Sequence, residues 1–496
     1  MKNINRRKFL HNSTLITTGL LSLPILSMGE IQNPLTLNYT EVKGRIHSNG
    51  KGIANVVITD GKLIYLSDKS GKFEFPTDRP FVYFSYPSGY KFNLLPNGSV
   101  DFFRKLDFGK KINTLDFNLQ KNNFPETKHH FITIADPQIQ TKEEAETFIS
   151  ESCTDIRNTV SDINDPNTFG IGLGDLVFDE FDLFEYYNQG IKSTGIPFFQ
   201  VLGNHDIDLL ARSNSASQYP FTDQYGPSHY SFNRGNRHYV VLNDVFFLGN
   251  KQYYGYLDEE QLQWLEKDLS FIEKGSEIVL FLHIPPQSKV AILNQGRDLN
   301  KESVINNGAL YEILKDYKAH IISGHVHWNE NIFHKNIYEH NTASISGAWW
   351  AADICYDGTP KGYSVYQNNS KLSWYYKSIG ADKNLQFRAY APGSHPDFPE
   401  DYCLNIWNWD PEWKITWKEN GKISNSIRKV ETYDPLAIST FNNRDKGAKH
   451  PWITAQRNSH LFFFQAQSDN SEIEVEVIDR FGNTYKQILS RQQNIR

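Results

Sequence analysis

Five times between Asp136 and His327, a short apolar run gives way at once to residues that can bind metal. The runs are Phe131 to Ala135, Phe169 to Leu173, Pro197 to Leu202, Glu277 to Leu282 and His320 to Ser323. Each is short and rich in β-branched and aromatic residues, as a buried strand is. They end in Asp136-Pro137-Gln138, Gly174-Asp175, Gly203-Asn204-His205-Asp206, His283 and Gly324-His325-Val326-His327. A sixth run, His238 to Leu242, also reads as a strand. Helical patterns lie between several of them, at Lys142 to Ile163, Asp258 to Ile272 and Ile305 to Tyr317. Strands alternating with helices predict an α/β fold with packed sheets. In such sheets ligands bind beyond the carboxyl ends of the strands, so the five bursts can meet in one crevice. One histidine after a strand is usually structural; five bursts at successive strand ends are not coincidence.

In this order the bursts resemble the calcineurin-like metallophosphoesterases, whose pattern is D-x-H, G-D, G-N-H-D/E, H and G-H-x-H. The resemblance implies metallophosphoesterase-type packed β-sheets flanked by helices, and hydrolysis of a phosphate monoester or diester by metal-bound hydroxide. It implies two metal ions bridged by Asp175. Asp136 and His327 would hold the first ion, and Asn204, His283 and His325 the second. His205 would be the catalytic acid, with Asp206 orienting it or its loop.

The chemistry asks for such a set. A bridging carboxylate can hold two cations about 3.5–4 Å apart, and the ions generate hydroxide near neutral pH and neutralise phosphate charge. Mixed His, Asp and Asn donors suit Mn, Fe, Zn or Co better than calcium. Protonated His205 could then donate to the leaving oxygen. Gln138 departs from the pattern by standing where histidine is usual, although a related branch carries D-P-Q. Its amide oxygen could bind a hard ion or only hydrogen-bond a metal-bound water, and both readings stay open.

Neighbouring residues get plainer expectations. Asp179 reads as a helix cap rather than a partner of the site. His129 and His130 read as solvated, and His238 as structural. Trp349 and Trp350, in Ser346-Gly347-Ala348-Trp349-Trp350, divide evenly between core filling and a substrate pocket.

The 496 residues exceed one ordinary domain. Residues 1–29 resemble a twin-arginine (Tat) signal peptide, with Asn5-Arg6-Arg7-Lys8-Phe9-Leu10 ahead of an apolar stretch and a cut after Gly29. The resemblance predicts a periplasmic or otherwise exported protein. Pro24 and the shortness of the stretch argue against a membrane span. Losing Lys2, Arg6, Arg7 and Lys8 takes the formal charge from −6 to −10, so bulk binding to nucleic acid is not expected. Residues 30–122 read as an N-terminal β-sandwich-like domain, where Ser70 to Phe75 alternates with period two. Residues 123–379 form the metallophosphoesterase domain, and residues 380–496 a C-terminal β-rich domain with strands around Leu404 and Ile473. Similar N- and C-terminal modules flank the catalytic domain in one bacterial branch of the family. Cys153, Cys355 and Cys403 are too scattered for a disulfide framework. The phosphate ester is the expected partner. The competing reading is a surface glycan-binding protein with a vestigial metal domain.

Overall fold

Each strand of the central body sends alternate side chains to two different cores, and this explains why the runs are apolar at every position. Phe131, Phe169, Ile171, Phe199, Tyr239, Val279, Phe281 and Ile322 join one cluster. Their neighbours Ile132, Ile134 and Phe198 join a second, and Val240, Ile278, Leu280 and Ile321 a third. Two sheets therefore face each other, with helices covering both outer faces. Aromatic rings fill the interface: Phe199 stacks on Phe232 at 3.9 Å between centroids, and Phe131 meets Phe281 edge-on at 5.8 Å.

The structure is a computed structural model, describing residues 39–424, 426–442, 449–468 and 471–489. Residues 1–29, expected from the sequence to be a signal peptide, lie outside the described residues. The sheets and helices all belong to one compact unit, Thr40–Arg496.

The first central sheet runs Phe198–Gln200, Phe169–Gly172, His129–Ile134, Gly362–Asn368, Leu372–Ser378 in spatial order. Its first three strands are parallel, with Ile171 opposite Thr133 and Phe199. The second runs Tyr230–Arg234, Arg237–Val241, Glu277–Phe281, Lys318–Ser323, Ile337–Asn341, Glu330–His334. Its middle strands are also parallel. The strands expected from the sequence are present; beyond them the first sheet gains antiparallel Gly362–Asn368 and Leu372–Ser378, and the second gains Tyr230–Arg234, Ile337–Asn341 and Glu330–His334.

Helix Glu259–Leu269 begins at Asp258, whose side chain accepts from the Gln261 amide. It lays Leu262, Leu265 and Leu269 on the second sheet. The stretch Lys142 to Ile163 is not one helix. A capping box at Thr141 and Glu144 starts Lys142–Thr147, a π turn at Phe148–Ser152 interrupts it, and Cys153–Ile163 follows. The π turn buries both Phe148 and Ser152.

The flanking segments each hold two four-stranded sheets. In the first, strand Lys72–Thr77 alternates exposed and buried as its sequence predicts. This module shares the inter-sheet core: Phe92 sits edge-on to Phe169, Phe199 and Phe232, and the Arg234 guanidinium lies 3.8 Å above its ring. The three cysteines are buried and free. Among the described residues, no helix is long and apolar enough to cross a membrane.

Candidate metal centre

All five bursts lie just past the carboxyl ends of parallel strands, three on one sheet and two on the other. The loops approach so closely that glycine is required between them. A Cβ on Gly203 would fall 1.9 Å from the Asp175 amide nitrogen, and one on Gly324 would lie 2.6 Å from Asp136 Oδ2. Asp136, Gln138, Asp175, His325 and His327 all adopt positive φ, between 43° and 70°. Non-glycine residues take up such backbone at a cost that surrounding contacts must offset.

Those contacts are specific. Asp136 accepts the His325 amide on both oxygens, at 3.1 and 2.9 Å. Asp175 Oδ1 accepts the His205 amide at 2.8 Å, and Oδ2 accepts Gln138 Nε2 at 2.9 Å. Three histidines give their outer nitrogen to a backbone carbonyl: His283 Nδ1 to Leu173, His325 Nε2 to Lys301 and His327 Nδ1 to Gly347. Each inner nitrogen is thereby presented to the centre, as ligand histidines are normally arranged.

The inner atoms form two groups. Asn204 Oδ1, Asp175 Oδ1 and His325 Nδ1 lie 3.1–3.2 Å from His283 Nε2. Asp175, His283 and His325 could hold one cation, with donor atoms within 4.8 Å of one another. On the other side, His327 Nε2 is 3.5 Å from Asp136 Oδ1. His327 Nε2, and Gln138 Oε1 on the side chain that bonds Asp175, are both buried without a hydrogen-bond partner. Two orphaned acceptors beside two carboxylates are costly unless a cation satisfies them, so the donor set fits metal.

Electrostatics agree with a need for positive charge. Burial pushes the Asp175 carboxyl up, but His283 and His205 outweigh it and hold the group well below the usual carboxylate range. Burial lowers the His283 pKa, but the Asp175 charge and contact, with Asp136 behind, outweigh it and raise the group to about 10. A proton on His283 or a bound cation serves the same end.

His205 lies beside this cluster. Its ring stacks on Phe178 at 4.0 Å and its Nδ1 is 2.9 Å from Asp179 Oδ1. Burial lowers its pKa, but the charges of Asp175 and Asp179 overcome that and raise it. Asp179 is therefore not a helix cap: the short helix Phe181–Leu183 has Glu180 at its N-cap and no side-chain cap, and Asp179 is committed to His205. Asp206 does not touch the imidazole. Its oxygens accept the amides of Leu176, Val177 and Gly203, so it clamps the Gly174-Asp175 loop to the Gly203 loop and acts as a bracing group, without reaching the reacting atoms. Burial and the Asp175 charge push it up to about 7.

Other sequence expectations change. His129 is not solvated: it is buried between the Glu126 carbonyl and the Tyr239 hydroxyl. His130 is half-buried and pairs with Asp165 at 2.8 Å. His238 bonds Asp268 and Asn233. The tryptophans divide the work. Trp349 stacks on His327 at 4.4 Å, while Trp350 Nε1 donates to the Pro137 carbonyl and pins the Asp136 loop.

One residue escapes the sequence reading outright. Asp244 Oδ1 accepts the amides of His283 and Ile284, and burial lifts its carboxyl to about 7. A signal exists, because the strand from Arg237 also ends in Asn243-Asp244.

Comparison with known proteins adds a family. Models described as the N-terminal, central and C-terminal parts of calcineurin-like phosphoesterases match residues 40–122, 129–329 and 339–485. The chain is 24% identical over 179 residues to a probable cyclic nucleotide phosphodiesterase of Xenorhabdus bovienii (strain SS-2004), covering 36% of this chain and 67% of that one. Among solved structures, a purple acid phosphatase from yellow lupin (Lupinus luteus) matches at 13% identity and TM-score 0.39, over 69% of this chain and 68% of that one. A 5'-nucleotidase from Candida albicans matches at 14% and 0.33, over 51% and 52%.

Proposed function

The chain belongs to the calcineurin-like phosphoesterase family and is a phosphate-ester hydrolase, and from that premise we propose that it is an exported enzyme with a dinuclear metal centre. Asp175 would be shared between the ions; Asp136, Gln138 and His327 would hold the first, and Asn204, His283 and His325 the second. The observation that carries this reading is the pair of buried, partnerless acceptors, His327 Nε2 and Gln138 Oε1. It favours Gln138 as a ligand, because Asp175 takes its Nε2 and leaves the oxygen free. Divalent or mixed-valence ions from the Mn, Fe, Zn and Co group suit these donors and, when bound, would neutralise phosphate charge and acidify water for attack.

The chain's own residues do the rest. Asp179 and Phe178 fix the His205 ring, and the Asp175 and Asp179 charges raise its pKa against the effect of burial, which favours the protonated form an acid needs. Held by Asp179 at Nδ1, the ring keeps Nε2–H free to give a proton to a departing alkoxide. Asp206 and Asp244 hold the loops that carry Asp175 and His283.

The substrate is a phosphate monoester or diester, and the name of the Xenorhabdus relative makes diesters the first to try. Export rests on Arg6 and Arg7; changing both to Lys should trap the precursor in the cytoplasm on cell fractionation. The activity is tested by stripping metal with a chelator, restoring Mn, Fe, Zn or Co singly, and assaying monoesters and diesters. Restored turnover of at least one class is expected. No turnover with any ion would sink the proposal.

A further inference from the structure

We propose that the C-terminal module completes a binding site beside the metal centre for the organic half of the ester, and that this half is an aromatic heterocycle. This site rests on the phosphoesterase reading and narrows its substrate class. A cleft of about 810 Å³ opens between the segment carrying Arg297, the loop carrying Trp349 and the C-terminal residues Trp452 to Arg457. It shares walls with both halves of the centre. Trp349 stacks on His327, and Arg297 bonds Glu302 Oε1, whose Oε2 lies 3.9 Å from His325 Nε2.

Two features argue for a flat ring. Trp452 is 54% exposed although it stands 6.2 Å from Trp349 at 81° and 4.7 Å from His450, so the aromatic corner keeps open ring surface. Such faces stack on nucleobase-like rings. The polar lining decides between a ring of that kind and a sugar. Among the described residues it contains no carboxylate, whereas Arg297 and Arg457 can only donate. Arg457 gives one bond to the Glu431 carbonyl and makes no ion pair among the described residues. A hydroxyl-rich ring needs strong acceptors that this wall lacks. Two polar atoms of the wall are shielded and unpartnered: Trp349 Nε1, a donor, and Gln456 Oε1, an acceptor on a side chain 7% exposed. A ligand that partners both must offer an acceptor and a donor, as a heterocycle edge does.

The test uses the full chain and calorimetry with adenosine and with methyl glucoside, neither of which carries a phosphate. Adenosine should bind and the glucoside should not. Trp452→Ala should weaken adenosine binding about 10- to 100-fold, the range that loss of one stacking partner gives, and Trp452→Phe should restore most of it. Arg457→Gln should weaken it less. Absent adenosine binding, tighter binding of the glucoside, or an unchanged affinity in Trp452→Ala would overturn the inference. Adenosine binding in a protein that hydrolyses no ester with any metal would uphold the cleft and defeat the phosphoesterase reading instead.

Discussion

At the scale of single residues, the proposed acid His205 stands apart from the proposed metal ligands. It follows Asn204 directly, yet its ring is held by Asp179 and Phe178, outside the cluster around His283. A positioned general acid contributes about 10²–10⁴-fold. His205→Asn should cost that much with alkyl phosphate esters and far less with nitrophenyl esters, whose leaving group departs unprotonated. Metal content should be retained; loss of an ion would make His205 a ligand. Asp179→Asn should show the same dependence on leaving group with a smaller loss, about tenfold, and should lower the pH at which activity falls on the alkaline side. That direction follows from Asp179 raising the His205 pKa. Gln138→His should move metal preference toward imidazole-friendly ions such as Zn; identical Mn and Zn affinities before and after would make Gln138 a spectator. The metal-capable residues are legible in the sequence because their types are scarce and their strand-end positions regular. Asp179 is not, because an aspartate near a helix start is ambiguous until its partner His205 is in view.

At the scale of elements, the site depends on loops that cross where no side chain fits. Gly203→Ala would drive a Cβ into the Asp175 amide, 1.9 Å away. Overpacking of this kind costs about 1–3 kcal/mol, and here it should also abolish metal binding. Gly308, in helix Asn307–Leu314, has nothing within 4 Å of an added Cβ. Gly308→Ala should therefore stabilise the fold by about 0.4–1 kcal/mol and leave metal content alone. Denaturant midpoints and metal analysis of the two variants check both outcomes; equal behaviour would contradict the crowding argument. The parallel strands are readable because burial on both faces makes them continuously apolar. Gly362–Asn368 and Leu372–Ser378 are not, because Ser, Gln, Asn and Lys dilute their pattern, although both complete the first sheet. The π turn at Phe148–Ser152 leaves no mark in the helical periodicity of its neighbours.

At the scale of the whole molecule, the modules are joined through cores and charges rather than strung on linkers. Phe92 of the N-terminal module is wedged among central-body aromatics, and nothing in its local sequence announces that partner. Glu277, at the start of a central strand of the second sheet, bonds His320 and Arg237. Burial pushes its carboxyl up, but those two partners outweigh it and bring the group from its ordinary 4.5 to about 2. The pair thus adds stability above pH 4.5 that is lost as pH falls toward 2, on the order of 2–3 kcal/mol when complete. Glu277→Gln should flatten the acid limb of stability between those values, and an unchanged limb would rule the residue out. The proposed dinuclear centre gathers residues from both sheets, and its most direct test is metal stoichiometry. After reconstitution with Mn or Zn, the full chain should carry close to two ions, and Asp175→Ala should lose both together while staying folded by circular dichroism. Two ions still bound to folded Asp175→Ala protein would contradict the bridge and, with it, the arrangement proposed for the centre.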